Sequence, residues 1–180
     1  MTVEPFDLAV ARDRKFTAGE IAEEARVGIE AVRPWLQARG GIRPDPKLDE
    51  VSGGGRSRFT RLHWRTTAAI LIAIKLNDYG FGLNNGEAGD LAREIADGLA
   101  ISDLDTTRRL IIVRRVRPGG RRQVKASLVP RIMLAEALSV PTIRDGFDGS
   151  AALVLDPIGL GRIIWRMTRR QVAEENANAG

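Results

Sequence analysis

The stretch Phe16-Thr-Ala-Gly-Glu-Ile-Ala-Glu-Glu-Ala-Arg-Val-Gly28, continued by Ile29-Glu-Ala-Val-Arg-Pro-Trp-Leu36, decides how the first half of the chain is read. Thr17 stands three residues before Glu20, the spacing at which a hydroxyl and a carboxylate cap a helix start reciprocally. Ile21, Ala22 and Ala25 then share one helical face, with Glu20, Glu23 and Glu24 on the side expected to meet solvent. Arg26-Val27-Gly28 ends this helix, and Gly28 is the residue expected to turn at least cost. A second helix is expected over 29–38, with Val32, Trp35 and Leu36 inward and Gly40-Gly41 as its stop.

Residues 42–60 carry Pro44, Pro46 and Gly53-Gly54-Gly55, and read as two extended pieces around a tip, hence a β-hairpin or wing. A strongly apolar third helix is expected over 62–79, and a shorter one over 87–99. From Ser102 the pattern changes. Strands are expected at 110–113, 123–129 and 151–155, with a turn at Pro118-Gly119-Gly120, while 130–138 fits a short helix or a further strand. Asp156-Pro157 is a helix start, acid at the cap and proline in the first turn. That helix is expected to reach Val172 with Leu160, Ile163, Ile164 and Met167 on one face. The expected class is α+β: an N-terminal arm (1–15), a winged helix-turn-helix (16–100), a small α+β dimerisation domain (101–173) and a disordered tail (174–180).

Composition narrows the functions. The 180 residues are 43% hydrophobic and 28% charged, which suits a folded core and argues against a disordered or fibrous chain. The net charge of +5 is modest, so clustering of charge matters more than its total. With no cysteine there is no disulfide, thiolate metal site or cysteine nucleophile, and a reducing cytoplasm is favoured. A single histidine, His63, argues against histidine zinc sites and Ser-His-Asp triads, and it reads as a structural residue or a minor phosphate contact. The longest apolar run, Ala68 to Ile74, falls far short of the ~20 residues of a spanning helix. The start, Met1-Thr-Val-Glu-Pro-Phe-Asp7, has neither the basic flank nor the apolar core of a signal peptide. No phosphate loop or nucleophile–base set assembles, so no enzyme, metal or cofactor is expected.

Helix, tight turn, helix and a hairpin bearing Gly-Arg-x-Arg describe a winged helix-turn-helix, whose second helix enters a major groove while the wing lies along phosphates. Five pieces resemble the DNA-binding domain of the MerR family: Phe16 to Ala22, Val27 to Arg33, Arg39 to Ile42, Gly55 to Thr60 and Gly80 to Leu83. The resemblance covers roughly residues 16–83. Phage excisionases and small terminase subunits share the same scheme. Arg33 and Trp35 fit the family pattern in the second helix, whereas Pro34 and Leu36 depart from it; Arg56, Arg58 and Phe59 fit the wing. The family's long coiled-coil dimer helix is absent here, since the chain turns to strands after Ser102.

Arg56, Arg58, Arg61 and Arg65 fall within ten residues that hold no acid, as phosphate contacts require, although a solvated basic face has the same look. Thr17 is expected to hold the DNA backbone, and Glu30 and Arg33 to face bases or phosphates. Trp35 and Phe59 read as core anchors. A second basic run, from Arg108 to Arg131, holds DNA or RNA in one reading and keeps an edge strand soluble in another. Leu110 and Ile112 on an exposed strand edge, with the stripe Leu160, Ile163, Ile164 and Met167, are the expected dimer surface. The reading is a homodimeric, cytoplasmic, nucleoid-associated regulator that binds specific double-stranded DNA and no membrane. The alternatives are a phage-type architectural factor and a protein-interaction module with a partner such as RNA polymerase.

Overall fold

The structure is a computed structural model that describes residues 8–37, 41–52, 59–78, 83–104, 109–116, 123–135 and 147–179. In the first half, Lys15–Phe16 (β1) leads into Ala18–Ala25 (α1) and Ile29–Val32 (α2). Glu50–Ser52 (β2), Phe59–His63 (β3), Trp64–Asp78 (α3) and Asn85–Gly98 (α4) follow. β1, β3 and β2 form an antiparallel sheet in that order, Phe16 opposite Leu62 and Glu50 opposite Arg61. The second half adds Arg109–Val116 (β4), Gln123–Pro130 (β5) and Phe147–Leu155 (β6), an antiparallel sheet ordered β5-β4-β6, and ends in Pro157–Asn178 (α5). The protein is therefore α+β: helices with two small antiparallel sheets.

The local signals act as the sequence indicates. Thr17 and Glu20 close a capping box on α1, Asn84 and Glu87 close another on α4, and the Asp156 side chain accepts from the Ile158 N–H at the start of α5. The turn between α1 and α2 differs from expectation. Arg26, not Gly28, adopts the left-handed conformation (φ 57°), while Gly28 is extended and caps α2. α2 is also shorter than expected, giving way at Arg33 to a 3-10 turn over Arg33–Leu36. Pro34 explains the change. It has no N–H to offer and its ring crowds the carbonyl four residues back, so the α-helical ladder cannot continue through it.

Eleven of the fifteen residues of α3 are buried, and α2, α4, α5, β1 and β3 all pack on it. The second sheet turns Ile111, Val113, Leu128, Leu153 and Leu155 toward the same core, facing one another across the strand pairs. α4 packs on β5, and α5 returns to cover α1 and α3.

Several expectations are corrected here. Leu8 and Ala11 are buried in a short 3-10 turn against α5, so these residues belong to the core and not to a loose arm. α5 continues six residues past Val172, through most of the expected tail. The region 130–138 opens with a 3-10 turn at Arg131–Met133. The expected dimer residues are used inside the chain. Leu110 and Ile112 are buried on β4, the central strand, which has neighbours on both edges. Leu160, Ile164 and Met167 are buried in the core, with Ile163 packed against it. Burying that stripe against its own protomer removes about 1.5–3 kcal/mol of exposed apolar surface per large side chain, which leaves it nothing to offer a second copy.

Two glycines mark close backbone approaches. Gly41 has φ 79°, and a β-carbon on it would press on the backbone of α4 at Gly86. On α5, a β-carbon at Gly161 would overlap the Leu104 carbonyl, whereas Gly159 meets open space. Gly161→Ala is expected to lose about 1–3 kcal/mol in urea unfolding, because backbone must move to admit the methyl. Gly159→Ala on the same helix gains about 0.5–1 kcal/mol from helix propensity, and equal responses at both positions would contradict this packing.

Candidate nucleic-acid interface

On the outer side of the α1–α2 pair, Glu30 and Arg33 are both exposed. The Glu30 carboxylate lies back over Gly28, where a β-carbon would collide with it, so a negative group sits in the first turn of α2. Arg33 closes α2 at the point where the 3-10 turn begins, and it makes no ion pair among the described residues. Trp35 is buried, as a core anchor should be.

Thr17 is committed to α1. Its hydroxyl donates to the Glu20 carboxylate (2.8 Å) and accepts from the Glu20 N–H (3.2 Å), while its own N–H also donates to that carboxylate (2.7 Å). A hydroxyl with one proton, already given to a carboxylate, has none left for a phosphate. Glu20 accepts further from the Gln171 amide (2.9 Å). Burial pushes the Glu20 carboxyl up. Hydrogen bonds from Thr17 and Gln171 and the charge of Arg61 outweigh this, so it titrates below the usual glutamate value.

Arg61 and Arg65, expected as neighbouring phosphate contacts, meet different surroundings. Arg61 lines a polar cleft of about 430 Å³ with Arg14, Lys15, Glu50 and Glu175. In that cleft Lys15 pairs with Glu50 (2.7 Å) and Arg14 with Glu175. Arg65 is half-buried, with its guanidinium 5.3 Å from the Trp64 ring centre and its Nε buried without a hydrogen-bond partner. The expected wing contacts Arg56 and Arg58, and the side chain of Phe59, lie outside the described residues. In the second basic run, Arg109 pairs with Asp103, while the run's turn and the side chains of Arg114 and Arg115 lie outside the described residues.

The sequence reading missed a buried polar knot at the base of the β2–β3 hairpin. Asp49 is buried, and its carboxylate accepts from the Asp45 N–H (2.6 Å), the His63 N–H (2.6 Å) and the Thr66 hydroxyl (2.8 Å). Thr66 in turn accepts from Arg93 on α4 (3.0 Å), which also reaches Asp45 at 3.6 Å. The knot ties the hairpin to α3 and α4, and the only local hint of it is Asp45-Pro46, a turn opener four residues before Asp49. His63 joins the same corner. Its Nε2 lies 2.9 Å from the Arg12 carbonyl, an acceptor only, so Nε2 carries the proton and Nδ1 is left to accept from the Arg65 N–H (3.4 Å).

Among the described residues no cluster of histidine, aspartate and glutamate could hold a metal ion, and no helix is long and apolar enough to cross a membrane. No family model matches this chain, and no curated protein matches it.

The His63 geometry gives a pH prediction. Burial lowers its pKa from the ordinary 6.5, the Arg12 carbonyl offsetting this only in part. The unfolded chain therefore holds the proton more tightly, so full stability is present above that value and falls as the solution is acidified through it. The carboxylates with lowered pKa begin to contribute only at more acid pH. Urea midpoints at about pH 7.5 and about pH 5.5 should differ for the native chain and coincide more closely for His63→Gln; equal drops in both would remove His63 from the effect.

Proposed function

We propose that this protein is a sequence-specific, double-stranded-DNA-binding regulator of transcription, with a MerR-like winged helix-turn-helix in its first half. The observation that carries the reading is the order β1, α1, tight turn, α2, then the β2–β3 hairpin on a shared core, with Arg33 left exposed on the outer side. A helix start presented in this way fits a major groove, and a hairpin beside it fits the adjoining phosphates. The 3-10 turn at Pro34 limits the part of α2 able to follow the groove to its first turn, which makes Arg33 its main cation. The segment joining β2 to β3 carries Arg56 and Arg58 in sequence and supplies the wing's charge. Thr17 drops out of the contact set because its hydroxyl is engaged in capping. The protein acts without catalysis, in the cytoplasm and on the nucleoid.

Footprinting on genomic fragments tests the reading. Protected inverted repeats support it, direct repeats with bending indicate an architectural factor, and no protection at all indicates a protein-interaction module. Arg33→Ala should reduce discrimination between the protected site and random DNA by about 1–3 kcal/mol. Arg56→Ala with Arg58→Ala should instead weaken both equally and flatten the salt dependence by ~1 per lost phosphate contact. A loss of discrimination from the wing variant would reverse the two assignments.

The homodimer remains part of the proposal, on a different surface. Within the second sheet, β5 and β6 are the outer strands and each pairs with β4 alone among the described residues. Antiparallel pairing of one outer strand with its copy joins two protomers across a two-fold axis and spaces two half-sites. Light scattering should report a dimer, and a lysine or proline at an outward position of the pairing strand should give a monomer with weaker operator binding. A monomeric native chain that still protects an inverted repeat would remove the dimer from the proposal.

A further inference from the structure

The cleft beside the first sheet is built of cations that already have partners of an unusual kind. Lys15 stands opposite His63 and Arg61 opposite Glu50, so these four residues share the outer face of the sheet, while Phe16 and Leu62 take the inner one. The strands β2 and β3 that form this face are joined by the segment carrying Arg56 and Arg58. Lys15 lies on the adjoining strand β1, with Arg14 immediately before it. Among the described residues three cations thus line the cleft next to the proposed DNA surface.

Their present partners come in part from the far end of the chain. The last turns of α5 bring Glu174 and Glu175 to the cleft, and Glu175 pairs with Arg14. Carboxylates near a helix C-terminus oppose the helix dipole, and α5 has no basic residue in its last turn to offset them. Glu174 pairs with Arg170 one turn back on α5 (3.1 Å), whereas Glu175 answers to Arg14 outside the helix. The glutamates paired with Arg14 and Lys15 are more than half exposed, Glu175 at 59% and Glu50 at 58% of the side chain, while Glu20, which also faces Arg61, is half-buried. Ion pairs this open to water are weak and exchange readily for another anion.

We propose that Arg14, Lys15 and Arg61 are a second phosphate-binding site of the DNA surface, and that the carboxylates at the end of α5 stand in for the phosphates until duplex DNA displaces them. This rests on the DNA-binding reading. It makes α5 a competitor in cis, so the affinity of the intact protein is set below what its cations would allow. It also gives Arg61 a role on DNA despite the carboxylates around it.

The test uses the full chain and a fluorescent random-sequence duplex of about 20 base pairs, titrated at several salt concentrations. Glu174→Gln with Glu175→Gln should bind about three- to tenfold more tightly at low salt, with a salt slope steeper by ~1–2. Adding Arg14→Ala to that double variant should remove most of the gain. A control pair, Asp90→Asn with Glu94→Gln on the exposed side of α4, removes the same charge away from the cleft and should give a smaller change. Misfolding cannot imitate a gain in affinity, and Glu175→Gln alone should give part of it. Unchanged affinity, or a gain that survives Arg14→Ala or equals the control's, overturns the proposal while leaving DNA binding in place. If no form binds any duplex, the DNA-binding reading and this one fall together.

Discussion

Burial of α3 on every side is the constraint that the other elements satisfy. A helix with eleven buried positions out of fifteen needs a cover on each face, and no single neighbour can provide it. α4 lies along one flank, α2 with β1 and β3 closes another, and α5 comes back from the second half to close a third. Its first turn carries Thr66 into the core, and a buried hydroxyl without a partner is costly. The Asp49 carboxylate meets that need at Thr66 and in the same place fixes the His63 and Asp45 backbone. The angle at which the β2–β3 hairpin leaves the core is thus set by the polar chemistry of a helix start.

The contact between α1 and α5 shows how two kinds of interaction divide the work. Arg166 meets Glu24, Arg170 meets Glu23, Gln171 meets Glu20, and Glu175 meets Arg14 ahead of the start of α1. Exposed pairs of this kind are weak because water screens them, so they choose a register more than they hold it. The holding comes from Leu160, Ile164 and Met167, each contributing about 1.5–3 kcal/mol on burial. A polar seam one turn off would leave the apolar stripe facing the wrong groove. The two patterns agree on a single placement of α5, which is how specificity arises here without large electrostatic energies.

Much of this was legible in the sequence because it is local. The Thr17 and Glu20 spacing, the Asp156-Pro157 start and the apolar run Leu110 to Val113 act through neighbours a few residues away, and each produced its element. Pro34 departs from the family pattern in the second helix, and the 3-10 turn over Arg33–Leu36 is the structural form of that departure. What stayed hidden is non-local. Glu23 and Glu24 look like solvent residues until α5 is placed beside them, and Leu160 to Met167 look like an interface until the core they join is seen. Periodicity identifies an apolar face but not the surface that covers it. For the same reason the site was only partly readable: Arg33 and Arg61 lie on the surface as expected, while the carboxylates around Arg61 and the capping use of Thr17 depend on placement in space.

The seam between α1 and α5 also has a history in time. Arg166 and Glu24 are 142 positions apart, and the chain leaves the ribosome from its N-terminus. At about 5–20 residues per second, the interval between emergence of α4 and emergence of α5 is several seconds to more than ten, long compared with helix or hairpin formation. During that interval the nascent first half has its glutamate face unpaired and one flank of its central helix bare. A chaperone that shields apolar surface has its opportunity then, and truncated products of interrupted synthesis carry the same bare flank permanently, which marks them for proteolysis.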